Sequence, residues 1–331
     1  MLDVTLLGCG GTMPLPERWL TSLYVQYNGR GILIDCGEGT QIAMKEFGCS
    51  AHNIDVILLT HFHGDHVMGL PGILMSMGMQ GRTDPVTVVG PQNVSEVVAG
   101  LCIAAGIPFE VRTYELKKND EWFGFPQDDL LTFHAFSVRH SVTTYGYTID
   151  LHRRRKFDAK RAKEQNIPLK LWSRLQVGET IRENGVVYTP DMVLGEERSG
   201  IRLTYCTDTR PCNRIIEAGM DSDLMVLEGM YGDNERLEAA KVKKHMIFSE
   251  AAEIAKQANA VKLWLTHFSP SEPFPEQWLS NATEIFPAAS CGECGKHVEL
   301  NYMPEEKAIR DTVGSLPSDW SRLEQEAENH R

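Results

Sequence analysis

The segment Thr60-His61-Phe62-His63-Gly64-Asp65-His66 places three imidazoles and one carboxylate within six residues. These are metal-ligating groups, dense enough to hold two cations close together. They directly follow the apolar run Val56-Ile57-Leu58-Leu59. His61 and His63 are two apart, so in an extended segment both rings point to one side. Gly64 permits a sharp turn, and Asp65 and His66 fall where a helix can begin, ahead of Val67-Met68-Gly69-Leu70. A solvated His-rich loop is the plainer alternative. The position at the end of a buried strand argues against it.

Three more ligand types end strand-like runs far away in sequence. His140 closes the run from Thr132 to Arg139, Asp208 follows Arg202 to Thr207, and His267 follows Val261 to Thr266. A single histidine of this kind reads as a core or surface residue. The shared position beyond separate strands reads as a preorganised site along one sheet edge.

The elements needed to hold these residues are legible as patterns. Strand-like runs occur at 3–7, 23–27, 31–35, 55–60, 86–89, 131–138, 145–151, 202–206, 224–228, 261–266 and 298–302. Helical patterns occur at 39–47, 66–79, 94–105, 212–218, 236–243, 249–258 and 276–285. This mixture predicts an α/β (α+β) fold with sheets packed on each other and helices outside. A chain of 331 residues fits one large unit or two domains.

The net charge of −12 argues against indiscriminate nucleic-acid binding. It leaves room for a local basic patch, and one is present. Between 151 and 174 lie nine basic residues, including Arg153, Arg154, Arg155, Lys156, Arg161 and Lys163, against Asp158 and Glu164. The strand–helix rhythm also lapses from 152 to about 200, so this stretch reads as an insertion. It is either a solvated charged face or a nucleic-acid arm. The polar segment 304–331 predicts disorder or a loosely docked helix.

No apolar run reaches the roughly 18 residues of a membrane span. The start, Met1 to Gly8, reads as a strand without the basic start and cleavage site of a signal peptide. The expectation is a cytoplasmic protein with no membrane partner. The eight cysteines, several inside apolar runs, read as reduced thiols. Cys291-x-x-Cys294-x-x-His297 has no evident fourth ligand, so a turn with free thiols is preferred to a partial zinc knuckle. Gly8-Cys9-Gly10-Gly11 reads as a tight loop at the site rim, and Met75, Met77 and Met79 read as core.

Four stretches together resemble the metallo-β-lactamase superfamily and, within it, the ribonuclease Z family of tRNA 3′-processing endonucleases. They are Asp35-Cys36-Gly37-Glu38-Gly39-Thr40-Gln41, Thr60 to His66, Asp208-Thr209-Arg210 and Leu265-Thr266-His267-Phe268-Ser269, and the similarity spans most of residues 1–303. The resemblance implies an αββα four-layer sandwich over 1–303, with an exosite-like arm inserted at about 152–200. It implies His61, His63 and His140 on one ion, Asp65, His66 and His267 on a second, and Asp208 bridging them. Such ligands suit Zn²⁺ first, with Mn²⁺ or Fe²⁺ possible. Asp65 would also orient the attacking water. The resemblance further implies His245 as proton donor to the leaving ribose oxygen, with Glu228 as partner to a ligand or to His245. Asp35 would orient ligands from behind. Precursor tRNA is the implied substrate, and a homodimer the implied assembly, the arm of each chain clamping tRNA for its partner. The chain departs from the family in three places: Ser269-Pro270-Ser271-Glu272 lacks an Arg-Tyr pair, Leu227-Glu228-Gly229-Met230 replaces His-Glu-Ala-Thr, and the arm lacks a Gly-Pro pair near its middle. These departures favour the alternative reading, a hydrolase of small phosphodiesters or sulfate esters on the same fold.

Overall fold

The apolar runs pair into two seven-stranded sheets in a computed structural model that describes residues 1–126 and 128–302. The expectation for 304–331 lies outside the described residues. In chain order the strands are β1 (Leu2–Gly8), β2 (Ser22–Tyr27), β3 (Arg30–Ile34), β4 (Ile54–Leu58), β5 (Val86–Gly90), β6 (Val111–Glu115), β7 (Asp120–Phe125), β8 (Asp128–Val138), β9 (Thr144–Arg153), β10 (Ile181–Glu183), β11 (Val186–Tyr188), β12 (Arg198–Cys206), β13 (Leu224–Glu228), β14 (Leu263–Thr266), β15 (Ala289–Cys291) and β16 (Lys296–Leu300). The helices are α1 (Thr40–Glu46), α2 (Gly64–Val67), α3 (Leu70–Met79), α4 (Val94–Leu101), α5 (Ala159–Glu164), α6 (Trp172–Gln176), α7 (Asn213–Gly219), α8 (Leu237–Lys243), α9 (Phe248–Gln257) and α10 (Ser280–Thr283). One sheet runs β16-β1-β2-β3-β4-β5-β6 and the other β15-β14-β13-β12-β9-β8-β7.

Local sequence explains the pairing. Asn28 and Gly29 both take positive φ, 50° and 76°, and form the two-residue turn that joins β2 to β3 antiparallel. From β3 through β6 the strands are parallel, as they are from β12 through β15. Parallel strands are covered on both faces, which is why β4, with Val56, Ile57 and Leu58 all buried, is continuously apolar. Leu33, Ile57 and Val88 pack with Met44 of α1, Ile73 and Leu74 of α3, and Val94 and Val98 of α4. Each such fully buried side chain contributes about 1.5–3 kcal/mol. The opposite face meets the second sheet: Tyr145 N donates to Thr60 O at 3.0 Å and Tyr147 OH to Leu59 O at 2.7 Å. On the far side, α9 turns Phe248, Ala251, Ala252 and Ala255 inward against β13 and β14. The order of layers is αββα.

The structure departs from the sequence pattern at the sheet edges. β6 and β7 had no counterpart among the expected strands. Both are edge strands with charged residues at solvent-facing positions, which blunts the period-two signal. The expected helix 66–79 is broken at Gly69. There the Gly69 N–H donates to Cys36 O at 2.9 Å, and a Cβ would lie 2.0 Å from the Gly37 carbonyl oxygen. Of the methionine run only Met77 is core; Met75 and Met79 are exposed, because α3 turns one face inward.

Residues 152–200, with Tyr302, form a second compact unit. Ala162, Ile167, Leu171, Leu175, Ile181, Val193 and Leu194 make its small core. Asp158 caps α5 by accepting from Arg161 N at 2.9 Å, and β10 pairs with β11 as a hairpin. Among the described residues no helix is long and apolar enough to cross a membrane.

Candidate metal centre

The ligand candidates stand at the ends of four strands. β4 runs on through Leu59 and Thr60 into His61 and His63, and α2 then carries Asp65 and His66. His140 lies beyond β8, Asp208 beyond β12 and His267 beyond β14. All seven converge. His61, His63, His140 and Asp208 form one group, and Asp65, His66 and His267 another. The two carboxylate oxygens of Asp208 face different groups. Oδ1 is 3.8 Å from His61 Nε2 and 3.6 Å from His140 Nε2. Oδ2 is 3.1 Å from both His66 Nε2 and His267 Nε2. His63 presents Nδ1, 3.4 Å from His140 Nε2, and Asp65 Oδ2 is 3.3 Å from His267 Nε2.

These spacings suit a divalent cation. Ligands about 2.0–2.1 Å from a tetrahedral ion stand about 3.3–3.4 Å from one another. His61 Nε2 and Asp208 Oδ2 are buried and have no hydrogen-bond partner among the described residues. Leaving such atoms unsatisfied costs about 1–3 kcal/mol each, and a cation within the group would satisfy both. Burial first, then the neighbouring His66, pushes His61 well below the ordinary imidazole range. Burial opposes ionisation of Asp208, but His267, His66 and His61 prevail and hold it well below the usual carboxylate range.

A second tier fixes the ligands. Asp35 is buried and accepts from Thr60 N at 2.8 Å, Thr60 Oγ1 at 3.0 Å and His66 Nδ1 at 2.8 Å. The His66 contact turns Nε2 towards the centre. His140 Nδ1 lies 3.2 Å from the Lys244 carbonyl oxygen, which directs its Nε2 inward in the same way. The loop after β1 backs the second group. Thr12 N donates to Asp65 Oδ2 at 2.6 Å, and Gly11 packs so closely on the His267 ring that a Cβ would lie 2.6 Å from it. Asp35, Asp208 and His267 all have positive φ, 57°, 54° and 58°. Such strain, about 1–3 kcal/mol per residue, is held by the surrounding sheets.

His245 is buried beside this centre, with Nδ1 3.0 Å from Glu228 Oε2 and 3.8 Å from Asp208 Oδ1. Burial pulls its pKa down, but the Glu228 carboxylate outweighs that and holds the imidazole up at about 9. Glu228 also accepts from Thr209 N and from Met246 N at 3.2 Å. Arg210 completes the support: it donates to the His245 carbonyl and grips both oxygens of Glu250, which in turn accepts from Ile247 N at 3.1 Å. The roles of Glu250 and the Lys244 carbonyl had no sequence signal of their own, whereas Gly11 fell in the loop expected at the site rim and Arg210 in the Asp208-Thr209-Arg210 stretch.

The centre lies in a cleft of about 670 Å³ lined by His63, Asp65, His140, Asp208, His245 and His267, with Lys243 and Lys244 at its side. Cys291, Cys294 and His297 do not form a metal-ligand group among the described residues; His297 Nε2 bonds Asp3 Oδ1 at 2.7 Å, and all eight cysteines are free. In the arm, Arg154, Lys156, Arg161 and Lys163 are exposed, and Arg153 and Arg155 are half-buried. Arg155 and Arg161 also serve the arm's own fold. Arg155 donates to Gly195 O and to Asp191, each at 2.6 Å, and Arg161 to Leu194 O at 3.2 Å. Arg153 lies over the Tyr302 ring at 4.8 Å.

An αββα sandwich with imidazole and carboxylate ligands gathered at its strand ends defines a metal-dependent hydrolase of the metallo-β-lactamase fold. Residues 30–268 match the model of the β-lactamase superfamily domain. The chain is 50% identical over 303 residues to the ribonuclease Z of Agathobacter rectalis, covering 91% of this chain and 99% of that one. It is 50% identical over 311 residues to the ribonuclease Z of Lachnoclostridium phytofermentans, covering 92% and 100%. The chain belongs to the ribonuclease Z family. The crystal structure of human tRNase Z, short form, shares the fold, with a TM-score of 0.64 at 21% identity over 90% of this chain and 99% of that one.

Proposed function

We propose that this protein is an endoribonuclease that hydrolyses one phosphodiester of precursor tRNA and removes the 3′ trailer. The products are a 3′-hydroxyl on the tRNA and a 5′-phosphate on the trailer. The observation that carries the mechanism is the division of Asp208, one oxygen towards each ligand group. In this reading His61, His63 and His140 would hold one ion and Asp65, His66 and His267 a second, with Asp208 shared between them. The donor set suits Zn²⁺, with Mn²⁺ or Fe²⁺ as alternatives. Such ions, when bound, would supply a water of lowered pKa and positive charge to offset that at phosphorus.

The protein's own residues do the rest. Asp65, held by Thr12 N, accepts a hydrogen bond from the attacking water and aims it. His245, kept protonated by Glu228, gives its proton to the leaving ribose oxygen. The arm's exposed cations grip the tRNA body, and the working form is a cytoplasmic homodimer. The alternative, hydrolysis of small phosphodiesters or sulfate esters, draws on Glu272. This residue stands where the family carries its Arg-Tyr pair and is buried against Arg236 at 3.1 Å and Trp278 Nε1 at 3.1 Å. Incubating the purified protein with precursor tRNA beside a small chromogenic phosphodiester separates the two. Efficient cleavage at the 3′ trailer supports the first, and turnover of the small ester alone supports the second.

A further inference from the structure

The sulfur atoms of Cys9 and Cys294 face each other at 3.8 Å, and neither belongs to the ligand groups. Cys9 follows the end of β1, and Cys294 lies in the turn between β15 and β16. Cys9 is buried, while Cys294 is half-buried. We propose that these two thiols are a modification site, closed to a reversible disulfide by hydrogen peroxide, and that closure disturbs the metal centre from behind.

The coupling runs through the loop that follows Cys9. The Cys9 carbonyl accepts from Phe268 N at 2.9 Å, and Gly11 N donates to Phe268 O at 3.0 Å, beside the ligand His267. Gly11 packs on the His267 ring, and Thr12 N holds Asp65 at 2.6 Å. An S–S bond is about 2.05 Å long, so bond formation must draw Cys9 and Cys294 together. The segment from Cys9 to Thr12 moves with them, and two ligand residues lose their backing.

The two sulfurs are not equivalent. The neighbouring Cys9 thiol, against burial and with help from the Cys9 and Trp19 backbone, holds Cys294 down at about 7. The same contact, with burial, pushes Cys9 up. Cys294 is therefore the attacking thiolate. Its sulfur displaces one oxygen of the peroxide as hydroxide, which leaves as water, and becomes a sulfenic acid. The Cys9 thiol then attacks that sulfur, forms the S–S bond and expels a second water. Two thiols and one peroxide give one disulfide and two waters.

The test uses the metal-loaded full-length protein in thiol-free buffer. After a small excess of hydrogen peroxide and blocking with N-ethylmaleimide, non-reducing digestion should yield a peptide linking Cys9 to Cys294. Activity on a small phosphodiester should fall about tenfold, the scale for losing an outer support of a metal ligand, and return on reduction by thioredoxin. Cys294→Ser and Cys294→Ala should keep the resting activity and lose the peroxide response. Oxidation of Cys294 to sulfinic acid without a cross-link, or cross-linking at Cys49 instead, overturns the site. A Cys9–Cys294 link with unchanged activity overturns the coupling. The cross-link is read by mass, so it stands or falls independently of the assigned substrate.

Discussion

The metal cleft and the arm use charge in opposite ways. In the cleft, Asp35, His61, His66, Asp208 and Glu228 are buried, and each faces a partner or a ligand position at a defined distance. The partners come from far apart in sequence; His66 and His267 are 201 residues apart and their Nε2 atoms are 3.2 Å apart. In the arm, the charges are on the surface and their partners are local. Lys170 meets Glu183, Arg174 meets Glu179, and Arg155 meets Asp191. Such exposed pairs contribute about 0–1 kcal/mol. Residues 152–200 hold eleven Lys and Arg against seven Asp and Glu, so acids in the arm's second half offset part of the basic surplus before it. Geometry carries the cleft's chemistry. Surface charge is what the arm has to offer a polyanion.

The largest expected effect separates these regions outright. Asp208→Ala removes the carboxylate shared by both ligand groups, so turnover of precursor tRNA and of a small phosphodiester should both fall below detection. Elemental analysis should show metal loss; full metal content with near-normal activity would place the bridge elsewhere. His245→Ala should leave the metal bound and slow tRNA cleavage by about 10²–10⁴. The defect should shrink on a substrate with a good leaving group, and equal defects on both would make His245 a structural residue. The acid must be protonated to act, so the rate should fall as pH rises through about 9. Glu228→Gln removes the carboxylate that raises His245, and its alkaline limb should move to lower pH.

Arg210→Ala frees the His245 carbonyl and Glu250, and should cost about 10–100-fold in kcat with KM little changed. A loss confined to KM would deny it this positioning role. The smallest effect belongs to the arm. Replacing Arg154, Lys156 and Lys163 with Ala spares Arg155 and its hydrogen bonds within the arm. Precursor-tRNA binding should weaken, and the log–log salt slope should drop by about 0.7–0.9 for each phosphate that the arm no longer neutralises. Hydrolysis of the small ester should be unchanged. An unaltered salt slope would leave the arm without a part in RNA binding.

Much of the candidate site was legible because its candidate ligands end strands whose apolar runs are obvious. His61, His63, Asp65 and His66 announce themselves by density, and His140, Asp208 and His267 by position. The edge strands β6 and β7 were hidden, because their exposed and charged positions interrupt the apolar runs that mark the buried strands. The break between α2 and α3 was also hidden. Its cause is a close approach by the Asp35-Cys36-Gly37 loop, distant in sequence, and the helical period runs through it undisturbed.

The chain's own order of residues therefore determines the ligand types, the strands that end at them, and the basic run from Arg153 to Lys163. Tertiary structure alone decides that Asp208 turns one oxygen to each ligand group, and that Arg210 holds the carbonyl of His245. It alone brings Cys9 to Cys294. The physical reason is range. Strand and helix patterns arise from neighbours a few residues apart, whereas these contacts exist only after two sheets have packed and brought distant strand ends together.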